Sequence, residues 1–286
     1  MRTTAVLATL LATLAALAAS PSLAAEPLFY DKAFITKDTT WSGTVILRGQ
    51  NVVHRGITLT VEPGTVVKFE WIDDDHNDIG DGELTVEGTL ISKGTKEKPI
   101  LYTSAQPNPR MRDWTFVQIS VSKNSVVEHS IFEYGFSGLQ VHYSKSEVRD
   151  SLFRYNYEGI RFSTTDVLIE HNDFIENFYG IRTEANGSRT TIRNNRFKGN
   201  EHAYFPVRKT GSTVKFFDNN IEDSVQYNVN FGQNQAESLD LTNNWWGTTD
   251  REKIVEKFYD KTKDKSLGAV IFEPFLTKPV EDCGMR

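Results

Sequence analysis

Short alternation of apolar and polar residues runs through most of the chain, and between Val127 and Trp246 it repeats. The segments VEHSIF (127–132), VRDSLF (148–153), IEHNDF (169–174), IRNNRF (192–197), FFDNNI (216–221) and LTNNWW (241–246) each open on an apolar residue and close on Phe, Ile or Trp. Their starts lie 21, 21, 23, 24 and 25 positions apart. Six residues after the closing aromatic of the first three units stands Gly138, Gly159 or Gly180, opening GLQVHY, GIRFST and GIRTEA. A period of about 20–25 residues marks a solenoid, whose single unit cannot bury its own apolar face. These repeats show no helical period of 3.6 and no dense leucine signature. The pairs Leu139/Val141, Ile160/Phe162 and Ile181/Thr183 instead show the period of two of strands with one buried face. Each unit therefore supplies about three short strands, stacked in parallel about 4.8 Å from their equivalents. The polar pairs inside the segments suit turns, and Asn195, Asn219 and Asn244 are placed to bond one another along the axis.

The alternating G-I/L-x-V/F strand, the N-N turn and the closing NNWWG resemble the right-handed parallel β-helix superfamily, similar to pectin lyases and to carbohydrate-binding β-helix repeat proteins. The likeness spans roughly residues 41–276. It implies an all-β chain, a right-handed parallel β-helix solenoid of about eight coils and roughly 38 Å in length. Such repeats encode a scaffold and not a chemistry.

The ends depart from the repeat. Residues 1–25 carry Arg2, an Ala/Leu-rich run and PSLAA, which reads as a secretory signal peptide cleaved after Ala24 or Ala25. The run is short for a membrane anchor. The expectation is an exported protein, periplasmic or extracellular, with no membrane span in the mature chain. Residues 26–247 are read as the β-helix with its N-terminal cap, the first coil falling within 26–70. Residues 248–286 are read as a C-terminal cap and tail: a short helix in TTDREKIVEKFYDK (248–261), then a strand in Leu267–Leu276 ended by Pro274. The one cysteine, Cys283, has no internal disulfide partner. The formal charge is −6, or −7 without Arg2, which argues against nucleic acid as a partner.

Chemistry has three candidate locations. In WIDDDHNDIGDGE (71–83), Asp73, Asp75, Asn77 and Asp81 stand at positions 1, 3, 5 and 9 of a calcium loop. Asp78 replaces the usual glycine, Leu84 stands where the bidentate acid belongs, and Glu83 is the nearest substitute. The other reading is a solvated acidic insertion. The second location is one outer sheet face. If the apolar pairs face inward, then Gln118, Gln140, Arg161 and Arg182 form one outward column, beside Ser120, His142, Ser163 and Glu184. Arginines can hold uronate carboxylates while Gln and Ser bond hydroxyls, with Tyr143, Tyr155, Tyr157, Tyr179 and Tyr204 near enough to stack on sugars. A surface ion-pair ladder through Glu184 explains the same residues. The third location is the turn column His129, Asp150, His171, where an acid can orient an imidazole, as in a metal site or an acid/base pair. It continues as Asn194, Asp218 and Asn243, which is the chemistry of a turn ladder.

Function then divides into two classes. One is a non-catalytic binder of acidic polysaccharide or a cell-envelope glycan. The other is a polysaccharide lyase or glycoside hydrolase acting on a uronate polymer. Hydrolysis needs two carboxylates across the scissile bond, and no such pair stands on the candidate sheet. A lyase could use Arg161 or Arg182 as base, with His142 assisting.

Overall fold

A computed structural model describes residues 26–184 and 188–286; the signal peptide expected at 1–25 lies outside the described residues. The alternation becomes three parallel sheets wrapped about one core. Sheet I has nine strands, from Leu28–Asp31 to Asn220–Glu222; sheet II has ten, from Phe34–Ile35 to Phe258–Tyr259; sheet III has eight, from Thr39–Trp41 to Val214–Phe217. One coil illustrates the path: Ser130–Glu133 in sheet I, Gly135–His142 in sheet II, Lys145–Arg149 in sheet III. Each strand pairs in parallel with its equivalent one coil away, as Ile131 does with Leu152 and Val127 with Val148.

The repeated segments straddle the corner between sheets III and I. His129, Asp150, His171, Asn194, Asp218 and Asn243 occupy it with φ between 43° and 58°. This is the left-handed conformation that short polar residues tolerate best. The next residue points inward. Ser130, Ser151, Asn172, Asn195, Asn219 and Asn244 are fully buried. From Ser151 to Asn219 each of their backbone N–H groups donates to the next coil's Asn Oδ1 at 3.0–3.1 Å. Each Asn side-chain amide in turn donates to backbone carbonyls, for Asn219 those of Ile192 and Phe217. A second ladder, unforeseen in the sequence, fills the corner between sheets I and II. There Gly135 N–H donates to Asn156, Asn156 to Asn177 and Asn177 to Asn200, at 2.9–3.1 Å.

Beside the ladders, Tyr102, Phe132, Phe153, Phe174 and Phe197 stack ring on ring at 4.5–5.2 Å. Gly159 is needed for closeness: a Cβ there would lie 2.5 Å from the Gly180 carbonyl oxygen. At the N-terminal end residues 28–41 form a coil in their own right, with Leu28, Phe29 and Phe34 exposed. At the other end the helix is Arg251–Glu256, begun by Asp250 accepting from the N–H groups of Glu252 and Lys253. It is shorter than its sequence pattern because Phe258–Tyr259 pairs with Val229–Asn230 as the last rung of sheet II. Packing of Phe258 against Trp246 and Phe272 overrides helix propensity. The final strand is Val270–Ile271, paired with Leu239–Asp240. The tail then runs back along the III–I corner, through Val280 on Asn220, Gly284 on Asn194 and Arg286 on Asp150.

Asn219→Leu is expected to destabilise the fold by about 1–3 kcal/mol, because it leaves the buried Asn195 N–H without an acceptor. Urea unfolding measures this, and an unchanged midpoint would remove the ladder from the account of stability.

Candidate functional site

The outward columns of sheet II follow from the register. Gln118 aligns with Gln140, Gln140 with Arg161, and Arg161 with Arg182; Ser120 aligns with His142 and His142 with Ser163. The structure brings Gln140, His142, Arg161, Arg182 and Glu184 into one bonded patch, with Gln118 a rung further along. It adds a third column that the sequence reading missed: Ser137, Glu158, Tyr179, His202 and Tyr227. A register shift between Phe116 and Val117 breaks the alternation just where this column begins.

Glu158 anchors the patch. Its side chain has no solvent exposure, accepts from Ser137 Oγ, and accepts from Arg182 Nη1. Arg182 Nη2 reaches Glu184 at 3.1 Å, and Glu184 also takes Arg161 at 3.3 Å and Arg208 at 3.6 Å. Burial opposes the charge on Arg182, but Glu158 and Glu184 outweigh it and hold its pKa above the ordinary value. The two stacked guanidiniums are thus kept together by carboxylates on either side.

On the other side of Glu158, Ser137 accepts from Gln140 Nε2 at 3.0 Å. Gln140 Oε1 therefore faces His142 Nε2 at 3.1 Å, and Ser163 Oγ faces Nδ1 at 2.8 Å. This pattern fits a neutral ring that donates from Nε2 and accepts at Nδ1. Burial, followed by the charge of Arg161, pushes the His142 pKa down to about 4. His202, packed between Tyr179 and Tyr227, is also pushed down to about 4 by burial.

Next to Glu184 the sheet opens into a hollow of about 340 Å³ lined by Tyr143, Ser163, Thr164, Glu184, Arg208 and Lys209. Tyr143 sits on the II–III corner at φ 51° and is 65% exposed. The other tyrosines are less free. Tyr155 stacks on Tyr134, Tyr157 lies between Phe136 and Phe178 under Arg112, and Tyr179 stacks on Phe205. Tyr204 corrects the sequence reading: it pairs with Ile181 on the inward face and is 1% exposed, so it lies in the core. Arg208 and Lys209 were invisible to the strand pattern because they stand in a loop.

Asp73, Asp75, Asn77 and Asp81 share one loop, largely bonded to itself. Asp73 accepts from the N–H groups of Asn77 and Asp78, Asp81 from that of Asp74, and Asp75 from the Asn77 amide. Asp78 takes φ 61°, the conformation a glycine would supply, and bonds Arg110 at 2.8 Å. Leu84 is in the core and Glu83 is bonded to Gln50, so neither turns into the loop. In the turn column, Asp150 accepts from Arg286 Nε and Nη2 at 2.8 and 2.9 Å. Burial acts to raise its pKa, but the Arg286 bond and the nearby His129 and His171 hold it below the usual carboxylate value.

His142 and His202 make stability depend on pH. Between their ordinary value of 6.5 and about 4, both are neutral in the fold and protonated once unfolded. Protons then bind the unfolded chain, so stability falls as pH drops through that window. His142→Gln is expected to flatten the melting-temperature profile between pH 6.5 and 4; a slope as steep as the wild type would remove His142 as its source.

The family description "Right handed beta helix region" matches residues 102–245, half of the chain. No curated protein and no solved structure matches it. The stacked parallel sheets and this match agree: the chain belongs to the right-handed β-helix family.

Proposed function

We propose that this is an exported, non-catalytic binder of an anionic polysaccharide or cell-envelope glycan, acting through the outer face of sheet II. The observation that carries the reading is the hollow beside Glu184. Arg208 and Lys209 offer cations to a uronate carboxylate, Ser163 and Glu184 bond hydroxyls, and exposed Tyr143 gives a sugar ring an apolar face. Arg161, Arg182, Arg208 and Lys209 outnumber Glu158 and Glu184, so the patch is locally cationic on an acidic chain. No described helix is long and apolar enough to cross a membrane.

Binding is favoured over cleavage by the state of the charged groups. Glu158 has no exposure, which leaves Glu184 as the one carboxylate of this pair able to touch a glycan. Arg182 is held protonated by its two carboxylates, the opposite of what a lyase base requires.

Retention on immobilised polygalacturonate tests the reading. Arg161→Ala with Arg208→Ala and Lys209→Ala is expected to abolish retention and leave the melting curve intact, and wild-type retention should weaken as salt rises. Arg182 is left in place, because its removal strands a buried carboxylate at a cost of about 3–5 kcal/mol. Retention unchanged in the triple variant would refute the site. Unsaturated-uronate absorbance would refute the non-catalytic reading and assign a lyase.

The reading extends to calcium at Asp73, Asp75, Asn77 and Asp81. The donor set is all oxygen, and the turns at His76 and Asp78 (φ 58° and 61°) curl it on itself. The expected result is a calcium-dependent rise in melting temperature, absent in chelator and absent in Asp75→Ala. Equal melting in calcium and chelator would leave the loop to its own hydrogen bonds.

A further inference from the structure

The III–I corner carries chemistry that a turn does not need. Ligating atoms of Glu128, His129 and Asp150 lie within 4.8 Å of one another, the one such group of three among the described residues. His171 follows Asp150 in the same column and is 9% exposed; Asp150 is 4% exposed. The Nδ1 atoms of His129 and His171 are buried without a hydrogen-bond partner. Leaving a buried polar nitrogen unmatched is unfavourable, and the corner does not demand it. Asn194 and Asn243 hold the same position at φ 54° and 58° with no imidazole.

We propose that His129, Asp150 and His171, with Glu128 at the rim, form a site for a divalent transition metal of the Zn²⁺ type, for which Arg286 is a built-in competitor. Two imidazoles and a carboxylate are a donor set that suits zinc, with Glu128 or water completing four ligands. Rungs about 4.8 Å apart put the two histidine backbones about 9.6 Å from each other, on either side of Asp150. His129 already lies within 4.8 Å of Asp150, while His171 stands outside that group and must turn its side chain toward the carboxylate to share an ion. Both imidazoles already act electrostatically on Asp150. Arg286 now covers both Asp150 oxygens, and Lys93 stands 3.8 Å from Glu128. The charge and two-pronged grip of the guanidinium oppose a cation at that carboxylate, so the ion gains when the Arg286 side chain swings aside. The site is on a different corner from the glycan face and does not depend on it.

Zinc titration calorimetry on the full chain tests this, comparing wild type, Arg286→Ala and Arg286→Ala with His171→Asn. Asparagine is the substitute because the column already carries it. Arg286→Ala should bind one Zn²⁺ per chain about tenfold or more tightly than wild type. Adding His171→Asn should remove that binding, together with the zinc-dependent rise in melting temperature. Where Arg286→Ala does not melt cooperatively, Arg286→Lys makes the same comparison, keeping the charge but losing the two-pronged grip. No zinc uptake by the Arg286 variants, or uptake indifferent to His171→Asn, overturns the proposal.

Discussion

The rest of the structure depends on where the corner amides find acceptors. A coil that bends takes backbone N–H groups out of the sheet ladders, and burial then forbids water as their partner. Here the next coil supplies the acceptor, an Asn Oδ1 at about hydrogen-bond length from the amide below it. That bond fixes the rise from coil to coil at two corners, and all three sheets inherit the register. A slip of one residue would turn every inward side chain outward. The growth of the repeat from 21 to 25 residues must therefore be absorbed elsewhere. Three of the four added residues enter at the II–III corner, which has no asparagine ladder, and the fourth enters between sheets I and II in the coil after Asn200, the last asparagine of that corner's ladder. The hollow with Arg208 and Lys209 opens at the II–III corner, so the surface free to vary is also the surface that can hold a ligand.

Stacking in register places like beside like. In the core this is favourable, since Phe132, Phe153, Phe174 and Phe197 gain ring contact at every step. On the outer face of sheet II the same rule sets Arg161 against Arg182, which repel unless anions separate them. Glu158 and Glu184 meet that need, and Arg182 bridges both. The ion-pair ladder and the ligand surface read from the sequence are thus not rivals. Arg161 and Arg182 both belong to the ladder, while Arg208 and Lys209 stand toward solvent.

The architecture was legible because each rung repeats one short signal. The period, the inward pairs Leu139/Val141 and Ile160/Phe162, and the Asn195–Asn219–Asn244 ladder all follow from alternation and spacing. The second ladder was legible too, in Phe153-x-x-Asn156, Phe174-x-x-Asn177 and Phe197-x-x-Asn200, but went unread because tyrosine, glutamate and glycine precede the asparagines. Glu158 was hidden for a different reason. Counting alternation back from Ile160 and Phe162 stops at Gly159, and the shift at Phe116/Val117 leaves no clean column behind it. Tyr204 was placed on the wrong face because aromatic residues fit a sugar surface and a core equally well. The tail contacts of Val280, Gly284 and Arg286 have no periodic signal at all, since they cross many coils at once.

Those tail contacts change what the solenoid is mechanically. A stack in which each coil touches only its neighbours can fray from either end, because losing the last rung disturbs one interface. The 280–286 segment ties Asn220, Asn194 and Asp150 together across several rungs, so opening the C-terminal coil also breaks bonds near the middle. The other end has no such tie among the described residues, and it is there that Leu28, Phe29 and Phe34 stand exposed. Loss of order should therefore begin at the first coil and travel toward the corner that Arg286 holds.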